Sequence, residues 1–261
     1  MKIAIIQMDI VFGDPRENMK NAAALIARAV EESAPDVVML PELWTTGYDL
    51  ERLDEITEFG AEDVRAFVKQ QAVKHGIHLV AGSVANRSEA GVANTMLVYD
   101  KTGEEICSYS KAHLFRLMNE EKYLIAGESS GHFSMDGVAC AGMICYDIRF
   151  PEWMRKHAVE GTEVFFVVAE WPAPRTDHWR ALLQSRAIEN QAFVVACNRV
   201  GSDPANTFGG HSMVISPWGE ILAEADEDAA ILIATIDRKQ VNEIRNKITV
   251  FEDRRPSLYT K

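Results

Sequence analysis

Two short apolar runs, Ile3-Ala4-Ile5-Ile6 and Val37-Val38-Met39-Leu40, enclose a segment whose apolar residues recur at helical spacing. Residues 2–8 read as a buried strand. Asp14-Pro15-Arg16-Glu17 reads as a capping box, with Asp at the cap, Pro at the first helical position and Glu at the third. The helix behind it carries Met19, Ala22, Ala23, Ile26 and Val30 on one face, and Pro35 ends it. Residues 36–40 are a second short strand. Strand, helix, strand is a βαβ unit, so the chain is committed to an α/β fold with parallel strands buried on both faces. Such sheets place their sites at the carboxyl ends of the strands.

The rest of the chain extends this pattern. A helix is expected over 61–75, a strand over 77–84, and a hairpin of strands 94–99 and 105–110 around Asp100-Lys101-Thr102-Gly103-Glu104. Residues 116–137 read as an irregular loop and 138–144 as a small-residue buried strand. Helices over 151–160 and 178–190 alternate with strands over 163–169 and 192–198. A hairpin (211–215 and 221–225), a strand (230–236) and a helix (237–246) follow. About eleven or twelve strands rarely stay in one open twisted sheet. Two packed sheets with helices outside is the expected layering, in one domain spanning 1–261 with 250–261 as a C-terminal arm.

A formal charge of −12 and a pI near 5.1 argue against nucleic acid as a partner, because phosphate binding needs a basic face. Cysteines 107, 140, 145 and 197 form no CxxC pair, hence neither a disulfide framework nor a zinc knuckle. HExxH is absent, and no cluster has metal-ligand spacing. The N-terminal apolar run is too short for a signal peptide, and no run of about 18 apolar residues suggests a membrane span. The expected home is a reducing cytoplasm, with no membrane partner, metal or cofactor.

Three reactive residues occupy comparable places. Cys145 lies where the 138–144 strand ends and a helix headed by Pro151 approaches. The positive end of that helix is expected to favour the thiolate; the alternative is an inert buried thiol. Glu42 follows the 36–40 strand among Leu40, Leu43, Trp44 and Tyr48, an enclosed setting, against the alternative of an exposed loop carboxylate. Lys111 follows the 105–110 strand in unusually aromatic company, where most lysines are solvated surface groups. A carboxylate whose pKa is lifted by burial serves as a base for a thiol, and a nearby ammonium holds an oxyanion. Gly127-Glu128-Ser129-Ser130-Gly131 spells a nucleophile elbow, but the strand before it and the helix after it are missing.

The motifs Leu40-Pro41-Glu42, Tyr109-Ser110-Lys111-Ala112-His113-Leu114-Phe115 and Ile144-Cys145-Tyr146-Asp147-Ile148-Arg149-Phe150-Pro151-Glu152 together resemble those of the nitrilase (carbon–nitrogen hydrolase) superfamily, in family order. The resemblance implies a four-layer α-β-β-α sandwich that forms homodimers across outer helices. It implies that Glu42, Lys111 and Cys145 are catalytic, joined by a second glutamate seven residues before a glycine. Glu120 stands seven before Gly127, with Glu121 as the fallback. Glu170-Trp171-Pro172, Arg175, His178-Trp179 and residues 186–191 resemble the ω-amidase branch. That branch hydrolyses the side-chain amide of small 2-oxo acids through a cysteine thioester, without metal or cofactor. By the same resemblance the backbone N–H of Tyr146 shares the oxyanion with Lys111. Arg175 is expected either to bind the substrate carboxylate or, as a surface residue, to cap the next helix or pair with Asp177; Trp171 and Tyr48 are further candidates for the substrate site. Other amides, N-carbamoyl amino acids and nitriles remain alternative substrates within the family.

Overall fold

The computed structural model describes Met1–Tyr259. Among these residues the strands run β1 (Lys2–Gln7), β2 (Val37–Met39), β3 (His78–Ser88), β4 (Gly91–Tyr99), β5 (Glu105–Ser110), β6 (His132–Met135), β7 (Val138–Ile144), β8 (Val164–Ala169), β9 (Phe193–Asn198), β10 (Met213–Ile215), β11 (Ile221–Glu224) and β12 (Ala230–Thr235). They form two six-stranded sheets, ordered β12-β1-β2-β3-β4-β5 and β11-β10-β9-β8-β7-β6. Each has a parallel centre, β1-β2-β3 in one and β7-β8-β9 in the other, flanked by antiparallel strands.

The parallel strands bury both faces, which is why their sequences are continuously apolar rather than alternating. Ile3, Ile5 and Met39 join Met143, Phe166 and Val195 in the core between the sheets. Ala4, Ile6 and Val38 belong to a second core against α1 (Pro15–Ser33) and, beyond the short α2 (Leu53–Ile56), α3 (Glu62–His75). Past the four-residue α4 (Glu120–Tyr123), helices α5 (Pro151–Val159) and α6 (Thr176–Asn190) cover the outer face of the other sheet through Met154, Ala158, Leu183 and Ala187. The layering is α-β-β-α, as expected, with α7 (Lys239–Lys247) after β12. The Asp14 side chain caps α1 by accepting the Glu17 N–H at 3.1 Å.

The sheets stack so that β3 faces β8, β4 faces β7 and β1 faces β9. This brings the carboxyl ends of β2, β7, β8 and β9 to one region. A bulge in β3 shapes that region. Its register shifts between Val80 and Ser83 around Gly82, whose φ is +59°. A side chain at Gly82 would run into the Pro41 carbonyl, so only glycine lets the segment before Glu42 lie this close.

The structure differs from the sequence reading in three places. The 116–137 stretch is not irregular throughout: it holds a 3₁₀ turn (Arg116–Met118), α4 and strand β6. β6 buries only Phe133 and Met135, too short an alternation to stand out between Gly131 and the Asp136-Gly137 turn. β3 and β4 extend past the expected limits into a polar tip near Glu89. Cys145 does not abut a helix, since a 3₁₀ turn (Cys145–Arg149) separates it from α5. The arm expected over 250–261 is described to Tyr259, with a short 3₁₀ turn (Pro256–Leu258); its last two residues lie outside the described chain. Among the described residues no helix is long and apolar enough to cross a membrane.

Candidate active site

Glu42 is fully buried in the turn after β2. Ser83, just past the β3 bulge, fixes that turn: its Oγ accepts the Leu43 N–H at 3.0 Å, its N–H donates to the Pro41 carbonyl at 3.1 Å, and its carbonyl accepts the Trp44 N–H at 3.2 Å. Oε1 of Glu42 accepts from Asn94 Nδ2 (2.7 Å), Lys111 Nζ (2.9 Å) and the Tyr48 hydroxyl (3.1 Å). Oε2 accepts the backbone N–H of Glu170 at 2.8 Å. Four donors fix the carboxylate, and one of them is a full positive charge.

Lys111 directly follows β5, its main chain tied to Asn94 O at 2.8 Å and to Gly127 N at 2.9 Å. Its ammonium is wholly buried between Glu42 and Glu120, donating to Oε1 of Glu120 at 2.6 Å. Burial opposes the charge, but Glu120 and Glu42 outweigh it and hold Lys111 protonated well above the usual lysine range. Glu120, at the start of α4, accepts the Phe115 N–H (2.7 Å) and is the nearer acceptor (2.6 Å) of the single Tyr48 hydroxyl proton that it shares with Glu42. Glu121 is exposed, so the two candidates for the second glutamate are separated by geometry.

Cys145 directly follows β7 with φ +45°, a left-handed backbone unusual for a residue with a side chain, and its thiol is buried beside Glu42, Lys111 and Glu120. Burial, then the Glu42 charge, push its thiol well above the ordinary range, and Lys111 pulls it back only in part. The expected dipole-stabilised thiolate is therefore not what this site holds at rest. The adjacent helix end is missing, and two carboxylates surround one ammonium.

Asp147 locks the cysteine turn to the lysine segment. Its Oδ2 accepts from Ile144 N (2.9 Å) and the Tyr109 hydroxyl (2.7 Å), and its Oδ1 from the main chain (3.2 Å) and Nδ1 (2.8 Å) of His113. Tyr109 and His113 lie two residues either side of Lys111. The His113 ring stacks on Phe150 at 3.7 Å, and Trp153 Nε1 donates to the Tyr109 hydroxyl at 3.1 Å.

Cys145 borders a small cavity that is also lined by Phe115, Met118, Tyr146, Trp171 and Pro172. Arg175 and Arg149 reach it together. Arg175 lies over the Phe115 ring at 5.6 Å, and its carbonyl accepts the Trp171 indole N–H at 2.7 Å. Arg149 lies over Trp171 at 4.9 Å and contacts His178 Nδ1 at 3.3 Å. Met118 and Tyr48 also border a wider cleft of about 550 Å³ that opens outward past Asp49 and Asp203.

The structure thus gathers Glu42, Lys111, Glu120, Cys145 and Tyr48 into one contact network, with Tyr146, Trp171 and Arg175 at its mouth. Sequence reasoning missed Asn94, Asp147, Arg149, Glu170 and Arg199 as parts of it. Glu170 and Arg199 were within reach, because each is the first residue after a buried parallel strand, as Cys145 is. Asn94 lies inside β4, where no positional rule singles it out. No group of three or more His, Cys, Asp or Glu side chains among the described residues is placed to hold a metal ion.

Residues 2–246 match the family model described as carbon-nitrogen hydrolase. The chain is 52% identical over 257 residues to a 2-oxoglutaramate amidase of Bacillus subtilis (strain 168), covering 98% of each protein. It is 36% identical to the omega-amidase YafV of Escherichia coli (strain K12), over 97% of this chain and 96% of that one. Among solved structures, a CN-hydrolase superfamily protein from Xanthomonas campestris superposes with a TM-score of 0.91 at 32% identity, covering 98% and 97% of the two chains.

The Asp147 lock is open to a direct test. In Asp147→Asn one amide oxygen cannot accept on both sides, and the NH₂ group faces donors. The substitution should cost about 2–4 kcal/mol of unfolding free energy in urea denaturation, as for breaking buried hydrogen bonds to a charged group. A loss below about 1 kcal/mol would show that the two segments hold together without it.

Proposed function

The chain belongs to the carbon-nitrogen hydrolase family, and from that premise we propose that it hydrolyses the side-chain amide of small 2-oxo acids, 2-oxoglutaramate first among them, to the acid and ammonia. The observation that carries this reading is the buried contact set of Glu42, Lys111 and Cys145 beneath a mouth that holds two arginines. The 2-oxoglutaramate amidase and omega-amidase identities of the relatives support the same substrate class.

In this mechanism the resting thiol is neutral. Glu42 accepts its proton as sulfur attacks the amide carbonyl, so the nucleophile forms only when a substrate is there to receive it. Lys111 and the Tyr146 backbone N–H hold the developing oxyanion. A buried ammonium already fixed by two carboxylates needs no reorganisation to do so. Glu42 returns the proton to the departing nitrogen, and ammonia leaves a Cys145 thioester. Water then enters between Glu42 and Glu120. Glu42 takes its proton, hydroxide adds to the thioester, and collapse frees the acid and the thiol. Tyr48, bridging both carboxylates, keeps them at a fixed spacing. Arg149 and Arg175 hold the substrate carboxylate at the mouth, and Trp171 sets both by its stacking and its hydrogen bond.

The same reading makes the chain one hydrolase domain with a short C-terminal arm, working in the cytoplasm. It also makes it a homodimer. Ile188, Trp218 and Ile248 are each more than 40% exposed. They are neighbours: Ile188 abuts Gly219, Lys247 lies over the Trp218 ring at 5.3 Å, and Gln191 bonds the Ile248 carbonyl. An apolar patch on the outer helical layer suits an isologous contact. Light scattering at micromolar concentration should give twice the 29.1 kDa chain mass; a monomer mass would exclude the dimer.

Ammonia release over a panel of 2-oxo acid amides, neutral amides, N-carbamoyl amino acids and nitriles tests the substrate class, and no preference for the 2-oxo acid amides would count against it. Cys145→Ala should abolish turnover while the fold persists. Glu42→Gln should cost roughly 10²–10⁴-fold and Lys111→Ala at least about 10²-fold in kcat, the usual range for a positioned acid–base and an oxyanion donor. More than a few per cent residual activity in the alanine variant of Cys145 would refute the thioester route. Arg149→Met and Arg175→Met should each lose roughly 10- to 150-fold in kcat/KM on 2-oxoglutaramate, the value of about 1.5–3 kcal/mol for a charged hydrogen bond. Losses as large on a neutral amide of similar length would mean that the arginines shape the loop without reading the carboxylate.

A further inference from the structure

Glu170 has no part in the mechanism above, yet it borders the cavity over Cys145. It is fully buried, directly after β8. Its Oε2 accepts from Arg199 Nη1 at 2.9 Å, while its Oε1 is buried and has no hydrogen-bond partner. Its own backbone N–H holds Glu42. Leaving a buried acceptor unsatisfied costs about 1–3 kcal/mol, so an orphan oxygen at the wall of a site marks a place where a ligand donor is missing.

A primary amide offers one acceptor, its carbonyl oxygen, and two N–H donors. In the amidase reading, on which this inference rests, the oxygen faces Lys111 and the Tyr146 N–H, and one N–H faces Glu42. The second N–H is enclosed and needs an acceptor. The arginines at the cavity only donate, and Glu170 is the one carboxylate among the residues that line it. We infer that Glu170 contacts the substrate: its free Oε1 accepts the second N–H of the scissile amide and so selects primary amides over esters.

The carboxyl is held rigidly for this task. Arg199 gives Nη2 to Asp9 Oδ1 (2.8 Å) and to Ile10 O (3.0 Å) and Nε to Val200 O (3.0 Å), and its guanidinium lies 4.3 Å over Phe208. Oε2 therefore always faces a donor. The charged and titratable groups around Glu170 are Arg199 after β9, Glu42 after β2, Cys145 after β7, Tyr48, Asp203 in the following loop, and Arg149 and Arg175, which line the same cavity. Burial pushes the carboxyl up and Arg199 pulls it down; with Glu42 and Asp203 adding to burial, it rests at about 8. When protonated, its proton must sit on Oε1, since Oε2 meets the guanidinium. The acceptor then becomes a donor and opposes the amide N–H. Amide turnover relative to ester turnover should thus rise with pH through about 8, as the carboxyl ionises.

Glu170→Gln freezes the protonated arrangement, because its amide oxygen must face Arg199 and its NH₂ the cavity. The experiment compares kcat/KM for 2-oxoglutaramate and for the corresponding 5-methyl ester of 2-oxoglutarate, whose leaving group carries no N–H. In the variant the amide should fall about 10- to 100-fold while the ester stays within about threefold, since a site built to hydrogen-bond one group penalises its mismatch selectively. The pH rise of the amide/ester ratio should vanish with it. Equal losses on both substrates would overturn the inference and leave Glu170 as a support for Glu42 and Arg199. A ratio that stays flat in the unaltered enzyme from about pH 6 to 9 would overturn it too, whether or not the variant folds. An unaltered enzyme that cleaves neither compound would instead remove the amidase reading, and this inference with it.

Discussion

The site depends on one interaction: an ammonium buried between two carboxylates. Taking an ion out of water costs several kcal/mol even after relaxation, and a buried charge that loses its partner is strongly destabilising. Lys111 therefore has to meet Glu42 and Glu120 whenever the fold forms. Those three residues come from the end of β5, the end of β2 and the start of α4, so satisfying the lysine draws three distant segments together. The β3 bulge at Gly82 and the Asp147 lock follow from this demand: one lets the Glu42 turn approach, the other aligns the cysteine turn with the lysine segment.

The same interaction sets the protons. Two carboxylates around one ammonium leave the centre one charge more negative than positive. Three acids beside it are shifted in the direction that this excess and burial dictate. The Cys145 thiol and the Tyr48 phenol are pushed up, and Glu170 is held at about 8 despite its arginine. In the proposed mechanism this centre keeps a proton on sulfur until the attack creates an oxyanion that Lys111 stabilises. Restraint of this kind keeps a buried thiol from reacting in the absence of substrate, because it is the thiolate that alkylates and oxidises.

Much of this was legible in the chain. Continuous apolar runs identified the parallel strands, and the rule that sites form at their carboxyl ends singled out Glu42 and Cys145 as candidates. Lys111 stood out through aromatic neighbours. What escaped had physical reasons. Strand β6 buries two residues of four, below what alternation can signal. Asn94 acts from the middle of a strand. Glu170 and Arg199 are charges that a composition reading assigns to loops; their mutual pairing across adjacent strands is what lets both be buried, and pairing between residues 29 apart is invisible in one dimension. The thiolate expectation failed because a strand followed at a distance by Pro151 does not say whether a 3₁₀ turn intervenes.

The charge layout also bears on orientation. An anionic 2-oxo acid amide entering head-on would meet a centre with excess negative charge, and its carboxylate would be repelled from Cys145. Arg149 and Arg175 line the cavity over Cys145, whereas Glu42 and Glu120 are buried on Lys111 and do not line it. The field therefore runs from positive beside the two arginines to negative beside the buried carboxylates. A molecule with a carboxylate at one end and a neutral, N–H-bearing amide at the other has one favourable direction in that field: carboxylate outward, amide inward. The excess carboxylate that keeps the thiol protonated thus also keeps the substrate from binding backwards, and low local dielectric inside the closed cavity strengthens both effects together. Catalytic restraint and substrate orientation need no separate devices here, because both arise from placing two acids around a single buried lysine.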